Sequence, residues 1–226
     1  MSAKTHKVLG FCPQGNGDSI APFDDVFPRW QDISKSLDGV DAVVFWGGTD
    51  IHSSIYKQPP HPMNQVALAK EVPKRDAFEL KAMKWCVVND IPMIGVCRGA
   101  QLMCAFAGGS LIQHVDGHHQ NHKIVTEDGE VMDTTSCHHQ MMYLEKVEHE
   151  LLAWTPHQRS HMYEDGYGAL LREKVLNMKE PEVVYFPTIR GLAIQGHPEW
   201  AVGSRFAEYC NELVEQKLFA SNIVTV

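Results

Sequence analysis

The chain has 226 residues, of which 44% are hydrophobic, and a formal net charge of −8. That length and apolar content suffice for one sizeable core, so a single domain over residues 1–226 is expected, and the acidic balance argues against a general nucleic-acid-binding surface while leaving room for a local basic pocket. The six cysteines form no C-x-x-C pair, no apolar run reaches membrane-spanning length, and the opening Met1 to Lys7 lacks an apolar signal core, so a reduced, soluble, cytoplasmic protein is expected.

Lys7 to Cys12 reads as the first strand. The turn-forming stretch Pro13 to Asp18 follows, with neither a complete G-x-G-x-x-G nor a Gly-Lys-Ser/Thr, and is read as a surface loop rather than a phosphate cradle. The chain then passes quickly through Trp30 to Leu37 to a second strand, Asp41 to Trp46, which delivers Gly47-Gly48 to a loop. Glycine there either turns a backbone N–H toward a ligand or simply makes a tight turn. Lys57 to Pro73, rich in proline, suggests a stiff, exposed loop suited to covering a site. Arg75 to Val88 is a helix with an expected core stripe of Phe78, Ala82, Trp85 and Val88, while Arg75 and Glu79 form an i, i+4 pair of little value if exposed.

Met93 to Val96 is a short apolar run ending in Gly95-Val96-Cys97-Arg98-Gly99, followed at once by a helix-compatible run to Ala107 that Gly108-Gly109 stops. A strand, a sharp turn and a helix would lift the Cys97 thiol off the sheet, beside a helix N-terminus that favours thiolate and a developing oxyanion. The alternative is a tight turn with an inert thiol. Further on, Lys123 to Asp133 is a hairpin candidate, Ala153 to Lys179 is either a specificity loop or a surface excursion, and Glu182 to Phe186 is a strand. Leu192 to Ile194 is another apolar strand, running through Gln195-Gly196 into His197-Pro198-Glu199, a base with a carboxylate two residues on. A nucleophile, a base and an orienting group are what acyl transfer through a covalent intermediate needs. Ser204 to Lys217 closes as an amphipathic helix with Phe206, Cys210, Leu213 and Val214 inward, ahead of a short apolar tail to Val226. Among the thirteen histidines, His114, His118, His119 and His122 crowd together and His138-His139 follow; no H-E-x-x-H is present and the spacing shifts from loop to strand, so no metal is assigned.

Gly-Val-Cys-Arg-Gly-Ala-Gln over residues 95–101, Gly108 to Gln113 and Gln195-Gly196-His197-Pro198-Glu199 resemble the class I glutamine amidotransferase superfamily, and within it the gamma-glutamyl hydrolase-like branch, peptidase family C26. Gly47-Gly48-Thr49-Asp50-Ile51 with Tyr56, Arg75 to Leu80, and Cys137-His138-His139-Gln140 fit the same branch, in the family's order, over roughly Asp41 to Phe206. The resemblance implies a three-layer α/β/α, flavodoxin-like fold with a mostly parallel central sheet. It implies Cys97, His197 and Glu199 as catalytic residues, the backbone N–H groups of Gly48 and Arg98 as the oxyanion hole, Gln101 and His139 as substrate-binding residues, and no metal or organic cofactor. Two departures stand out: Cys137 replaces a small polar residue of the family pattern, and the short first crossover leaves no place for the family's second strand, so a trimmed sheet edge is expected.

The expected chemistry is hydrolysis of the γ-glutamyl amide of glutamine or of a γ-glutamyl amine through a thioester. Arg98, where amidotransferase domains tend to carry an aliphatic or aromatic residue, and the Gly-Gly-Thr-Asp-Ile loop favour a free-standing hydrolase. The alternatives are a glutaminase subunit passing ammonia to a synthetase partner and, on the same fold, a binding or regulatory protein without turnover, which the intact Cys–His–Glu set disfavours.

Overall fold

The computed structural model describes residues 7–12, 20–169, 175 and 177–220. The loop read at Pro13 to Asp18, part of the 153–179 stretch and the tail to Val226 therefore lie outside the described residues. Fourteen strands are present among the described residues: β1 (Val8–Phe11), β2 (Arg29–Asp32), β3 (Ala42–Phe45), β4 (Met93–Val96), β5 (Ser110–Ile112), β6 (His114–Val115), β7 (His122–Thr126), β8 (Val131–Thr134), β9 (Met141–Tyr143), β10 (Glu150–Trp154), β11 (Tyr163–Asp165), β12 (Gly168–Ala169), β13 (Pro181–Phe186) and β14 (Gly191–Ile194). The main helices are α1 (Lys74–Val88), α2 (Arg98–Ala107) and a C-terminal helix, Arg205–Leu213.

Nine strands form one sheet in the order β2-β1-β3-β4-β14-β13-β10-β7-β8. The first five run parallel, and β13, β10, β7 and β8 extend the sheet by antiparallel pairing. Both faces are buried, which is why β3 and β4 read as continuous apolar runs without alternation. Val43, Phe45 and Met93 pack with Ala82, Met83 and Leu102 of α1 and α2. Val44, Trp46, Ile94 and Val96 pack with Phe206, Cys210 and Leu213 of the C-terminal helix. Helices thus cover both faces of an α/β sheet.

The trimmed edge expected from the short first crossover is not found. Arg29–Asp32 forms β2, pairing parallel to β1 from Val8↔Arg29 to Phe11↔Asp32. Along the described part of the crossover, a 3-10 turn at Phe23–Asp25 buries Phe23 and, with the neighbouring Phe27, closes over the sheet. An exposed edge strand such as Arg-Trp-Gln-Asp carries no apolar face, so periodicity does not reveal it. The hairpin at 123–133 appears as β7 and β8, and the C-terminal helix starts where Ser204 accepts a hydrogen bond from the Ala207 amide.

Candidate active site

Cys97 sits between β4 and α2 with φ 50° and ψ −106°, a positive φ that a side chain rarely adopts. Its environment holds it there. The Cys97 N–H donates to Ile194 O at 2.7 Å, and the flanking glycines let strand and helix approach closely: a Cβ at Gly99 would lie 1.9 Å from Phe45 O, and one at Gly95 would lie 2.6 Å from Gly99 O. The thiol is buried, and burial pushes it up to about 12, offset in part by the Arg98 backbone N–H that bonds the sulfur. Desolvation therefore outweighs the pull of the helix N-terminus toward thiolate. Such a sulfur needs a base to attack anything.

β14 pairs parallel to β4 with Ile194 opposite Val96, so the segment after Ile194 emerges beside Cys97. His197 Nδ1 lies 2.8 Å from Glu199 Oε1, which fixes the tautomer with the proton on Nδ1 and leaves Nε2 as the proton acceptor. The backbone of His197 is clamped in turn: its N–H donates to Thr135 O at 2.9 Å, and Thr135 Oγ1 donates to His197 O. Trp200 stacks flat on the imidazole at 3.7 Å between centroids and 1° between planes. The end of β3 completes the convergence, since a Cβ at Gly47 would lie 3.0 Å from His197 Cε1 and 3.5 Å from Cys97 Cβ.

Arg98 points its side chain away from the chemistry into a buried ion network. Its guanidinium bonds Asp76 and Glu79 of α1, and Glu79 also accepts from Arg75 Nε at 2.9 Å. Arg75 in turn donates to Trp46 O at 2.8 Å, and a Cβ at Gly48 would lie 2.5 Å from Arg75 Nη1. Gly48 has φ +142°, so its conformation is one that other residues rarely adopt. This corrects the reading of α1 in part. Of the expected stripe, Ala82 is buried and Phe78 and Trp85 are half-buried against the core, but Val88 is 76% exposed, and Asp76 and Glu79 are buried as well because carboxylates must face in to neutralise Arg98. The Arg75–Glu79 pair is accordingly partly buried, with Glu79 fully enclosed.

His139 Nε2 lies 3.1 Å from Asp50 Oδ2, and Asp50 also receives the Gln65 N–H at 2.9 Å. Gln101 is buried, with Nε2 donating to Gln140 O at 3.1 Å, so it faces the 136–140 segment from within. The loop 57–73 is pinned rather than loose: the His61 N–H donates to Gln113 Oε1 at 2.9 Å, and His61 Nε2 reaches Glu164 of β11 at 3.0 Å. The two loop regions singled out in the sequence therefore meet. Sequence reasoning missed the roles of Trp200, Asp50 and Asp76. A signal existed for Trp200, which lies three residues beyond His197 across the 3-10 turn Pro198–Trp200, where residues i and i+3 eclipse. A cavity of about 430 Å³ lined by Tyr56, Ala105, Gly108 and Tyr143 lies at the far end of α2 from Cys97 and is separate from this constellation. No helix among the described residues is long and apolar enough to cross a membrane.

The Peptidase C26 family matches residues 26–159. A putative glutamine amidotransferase-like protein of Lactococcus lactis subsp. cremoris is 39% identical over 85 residues, which is 38% of this chain and 43% of that protein. A putative glutamine amidotransferase of Mycobacterium tuberculosis is 34% identical over 85 residues, 38% of this chain and 26% of that protein. These matches span less than half the length of either curated relative. In structure, a glutamine amidotransferase of Thermotoga maritima superposes with a TM-score of 0.57 at 12% identity, covering 96% of this chain and 87% of that one. A putative GMP synthase subunit of Thermoplasma acidophilum gives 0.59 at 14% identity, covering 92% of each chain. At such identities the structures show a shared fold.

Proposed function

The chain belongs to the Peptidase C26 family, a glutamine amidotransferase-like hydrolase family, and from that premise we propose that it cleaves the γ-glutamyl amide bond of a γ-glutamyl amine through a thioester. Cys97 is the nucleophile, His197 the base and then the acid, and Glu199 its orienter. Attack of Sγ on the γ-carbonyl transfers the thiol proton to His197 Nε2. The backbone N–H groups of Gly48 and Arg98 hold the oxyanion, the amine leaves with the proton from His197, and water activated by the same imidazole releases glutamate from the thioester. His139, beside Asp50, lies on the substrate side of this scheme, whereas Gln101 serves by fixing the 136–140 segment that carries His139. No other group is required for these steps.

The observation that carries the reading is the meeting of a strained Cys97 turn on β4 with the His197–Glu199 pair, 2.8 Å apart, beyond the adjacent parallel strand β14. The test compares kcat/KM of the isolated protein for a panel of γ-glutamyl amines and for glutamine. Hydrolysis of at least one amine in preference to glutamine, absent in Cys97→Ala, is expected. A second reading is a glutaminase subunit feeding ammonia to a synthetase, favoured by the likeness to a putative GMP synthase component. Inactivity alone, with glutaminase activity restored by a protein component of cell extract, would select it. The contact of loop 57–73 with β11 through His61 and Glu164 favours the first reading, since this chain then supplies its own wall beside the site.

A further inference from the structure

Behind β14, on the side away from Cys97, three histidines converge on one carboxylate oxygen. His122 Nε2 lies 2.8 Å from Glu182 Oε1, His118 Nδ1 lies 3.2 Å from it, and His138 Nε2 lies 3.8 Å from it. All three rings and Glu182 are buried, and the donor atoms of His118, His122 and Glu182 lie within 4.8 Å of one another. His122 Nε2 is hydrogen-bonded to Glu182 Oε1, but neither His118 nitrogen, His138 Nε2 nor Glu182 Oε2 has a hydrogen-bond partner.

The opposite edge of each ring is equally informative. His122 Nδ1 faces Gln120 O at 3.0 Å, His138 Nδ1 faces Gln140 O at 2.9 Å, and His118 Nε2 lies 3.2 Å from Glu180 Oε2. A neutral imidazole has one donor and one acceptor nitrogen, yet here both nitrogens of all three rings face acceptors. Protons alone would leave the rings either charged, up to three imidazoliums against two carboxylates, or neutral with ring nitrogens unpaired in the interior, and both are costly. A divalent cation resolves this. With neutral rings, each bonds the cation through one nitrogen while its other N–H donates to a carbonyl or carboxylate, the arrangement by which metal-bound histidines are oriented. The two positive charges then balance Glu180 and Glu182.

We propose that His118, His122 and Glu182, with His138 as fourth ligand, form a buried structural site for a divalent transition metal, best matched by zinc. Nitrogen and oxygen donors in a closed four-ligand set suit tetrahedral zinc, whose ligand atoms stand roughly 3.3 Å apart. Residue spacing does not reveal the set, because the ligands come from the loop before β7, from β7 itself, from the loop after β8 and from β13. The site is tied to the proposed catalytic strand, since the Gln195 N–H donates to Glu182 O at 2.7 Å and Ser136 Oγ donates to His118 O at 2.7 Å. Metal loss should therefore loosen the segment that carries His197.

The experiment uses the full chain without a polyhistidine tag, expressed with added zinc, and measures bound metal by elemental analysis after dialysis. About one equivalent of zinc per chain is expected. Replacement by Co2+ should give the intense visible absorption of a tetrahedral site, with histidine nitrogens detected by X-ray absorption. His122→Gln and Glu182→Gln should lose the metal, and Glu180→Gln should weaken binding about 10- to 100-fold by freeing the His118 ring. His114→Ala, at the separate histidine group near Asp50, and Cys97→Ala should retain it. If the ligand variants fail to fold, the Co2+ spectrum of the unaltered protein decides. No stoichiometric metal in the unaltered protein, after both zinc-supplemented expression and refolding with Zn2+, would overturn the assignment. So would metal that survives His122→Gln and Glu182→Gln but leaves with His114→Ala or Cys97→Ala.

Discussion

Cys97, His197 and Gly47 meet so closely that a single methyl group tests their arrangement. A Cβ at Gly47 would press on His197 Cε1 at 3.0 Å, so Gly47→Ala should lower kcat by about 10- to 100-fold through misplacement of the imidazole. Its thermal midpoint should move little, because the clash falls on one ring and not on a core layer. Circular dichroism melts and steady-state kinetics check both halves; an active alanine variant would mean that His197 is not held where the proposal needs it. The proposed division of labour at the base makes a second claim. His197→Ala should cost roughly ten- to a hundredfold more rate than Glu199→Gln, since the first removes the proton acceptor and the second only its orientation. Trp200→Ala should fall below both in severity, because the stacked indole restrains a ring that Glu199 still holds. Equal and small losses throughout would make the pair structural.

Helix α1 and the Cys97 turn are coupled through Arg98. The helix carries Asp76 and Glu79 inward where an ordinary amphipathic helix would carry aliphatic groups, and the buried guanidinium accounts for both. Burial works against the Arg98 charge, but Glu79 and Asp76 outweigh it and the guanidinium is held above its ordinary value. Removing it takes the guanidinium from Asp76 in the interior and leaves Glu79 paired with Arg75 alone. Arg98→Ala should therefore destabilise the protein by roughly 3–5 kcal/mol, read from urea unfolding followed by intrinsic fluorescence. Arg98→Lys should recover only part, since one ammonium cannot reproduce the guanidinium's separate bonds to Asp76 and Glu79. A change below about 1 kcal/mol for the alanine variant would show that the network contributes no more than a surface pair does.

The whole molecule buries cysteine thiols on both faces of its sheet, and this sets its response to alkali. Burial pushes Cys86, Cys97 and Cys104 from their ordinary value up to about 12 each. The unfolded chain releases these protons near pH 9 while the folded chain keeps them, so between pH 9 and 12 the unfolded state binds fewer protons. Their contribution is complete below pH 9 and is lost as pH rises toward 12, by about 1.4 kcal/mol per thiol for each unit. Urea midpoints measured from pH 8 to 11 should hold up to about pH 9 and fall steadily above it, and Cys86→Ala and Cys104→Ala should each flatten that fall. A flat profile across this range would show that the thiols open to solvent before global unfolding.

Much of the fold could be read before any coordinates because its signals are local. The apolar runs at β3, β4 and β14 are continuous since both faces of those strands are covered, and Gly-x-Cys-x-Gly marks a place where only small residues let a helix start against a strand. The candidate nucleophile and base were legible for the same reason: each lies at the end of an apolar strand in a short, chemically distinctive run. The edge strand β2, the inward carboxylates of α1 and the convergence of His118, His122 and His138 on Glu182 were not legible. Each depends on a partner distant in the chain: β1 for an edge strand with no apolar face, Arg98 for the acidic helix face, and β13 for the histidines. The thiol's protonation also turned on packing, because a helix N-terminus favours thiolate locally whereas desolvation comes from everything folded around Cys97. Local sequence carries backbone preference and side-chain chemistry; which charges are buried together is decided only when remote strands come side by side.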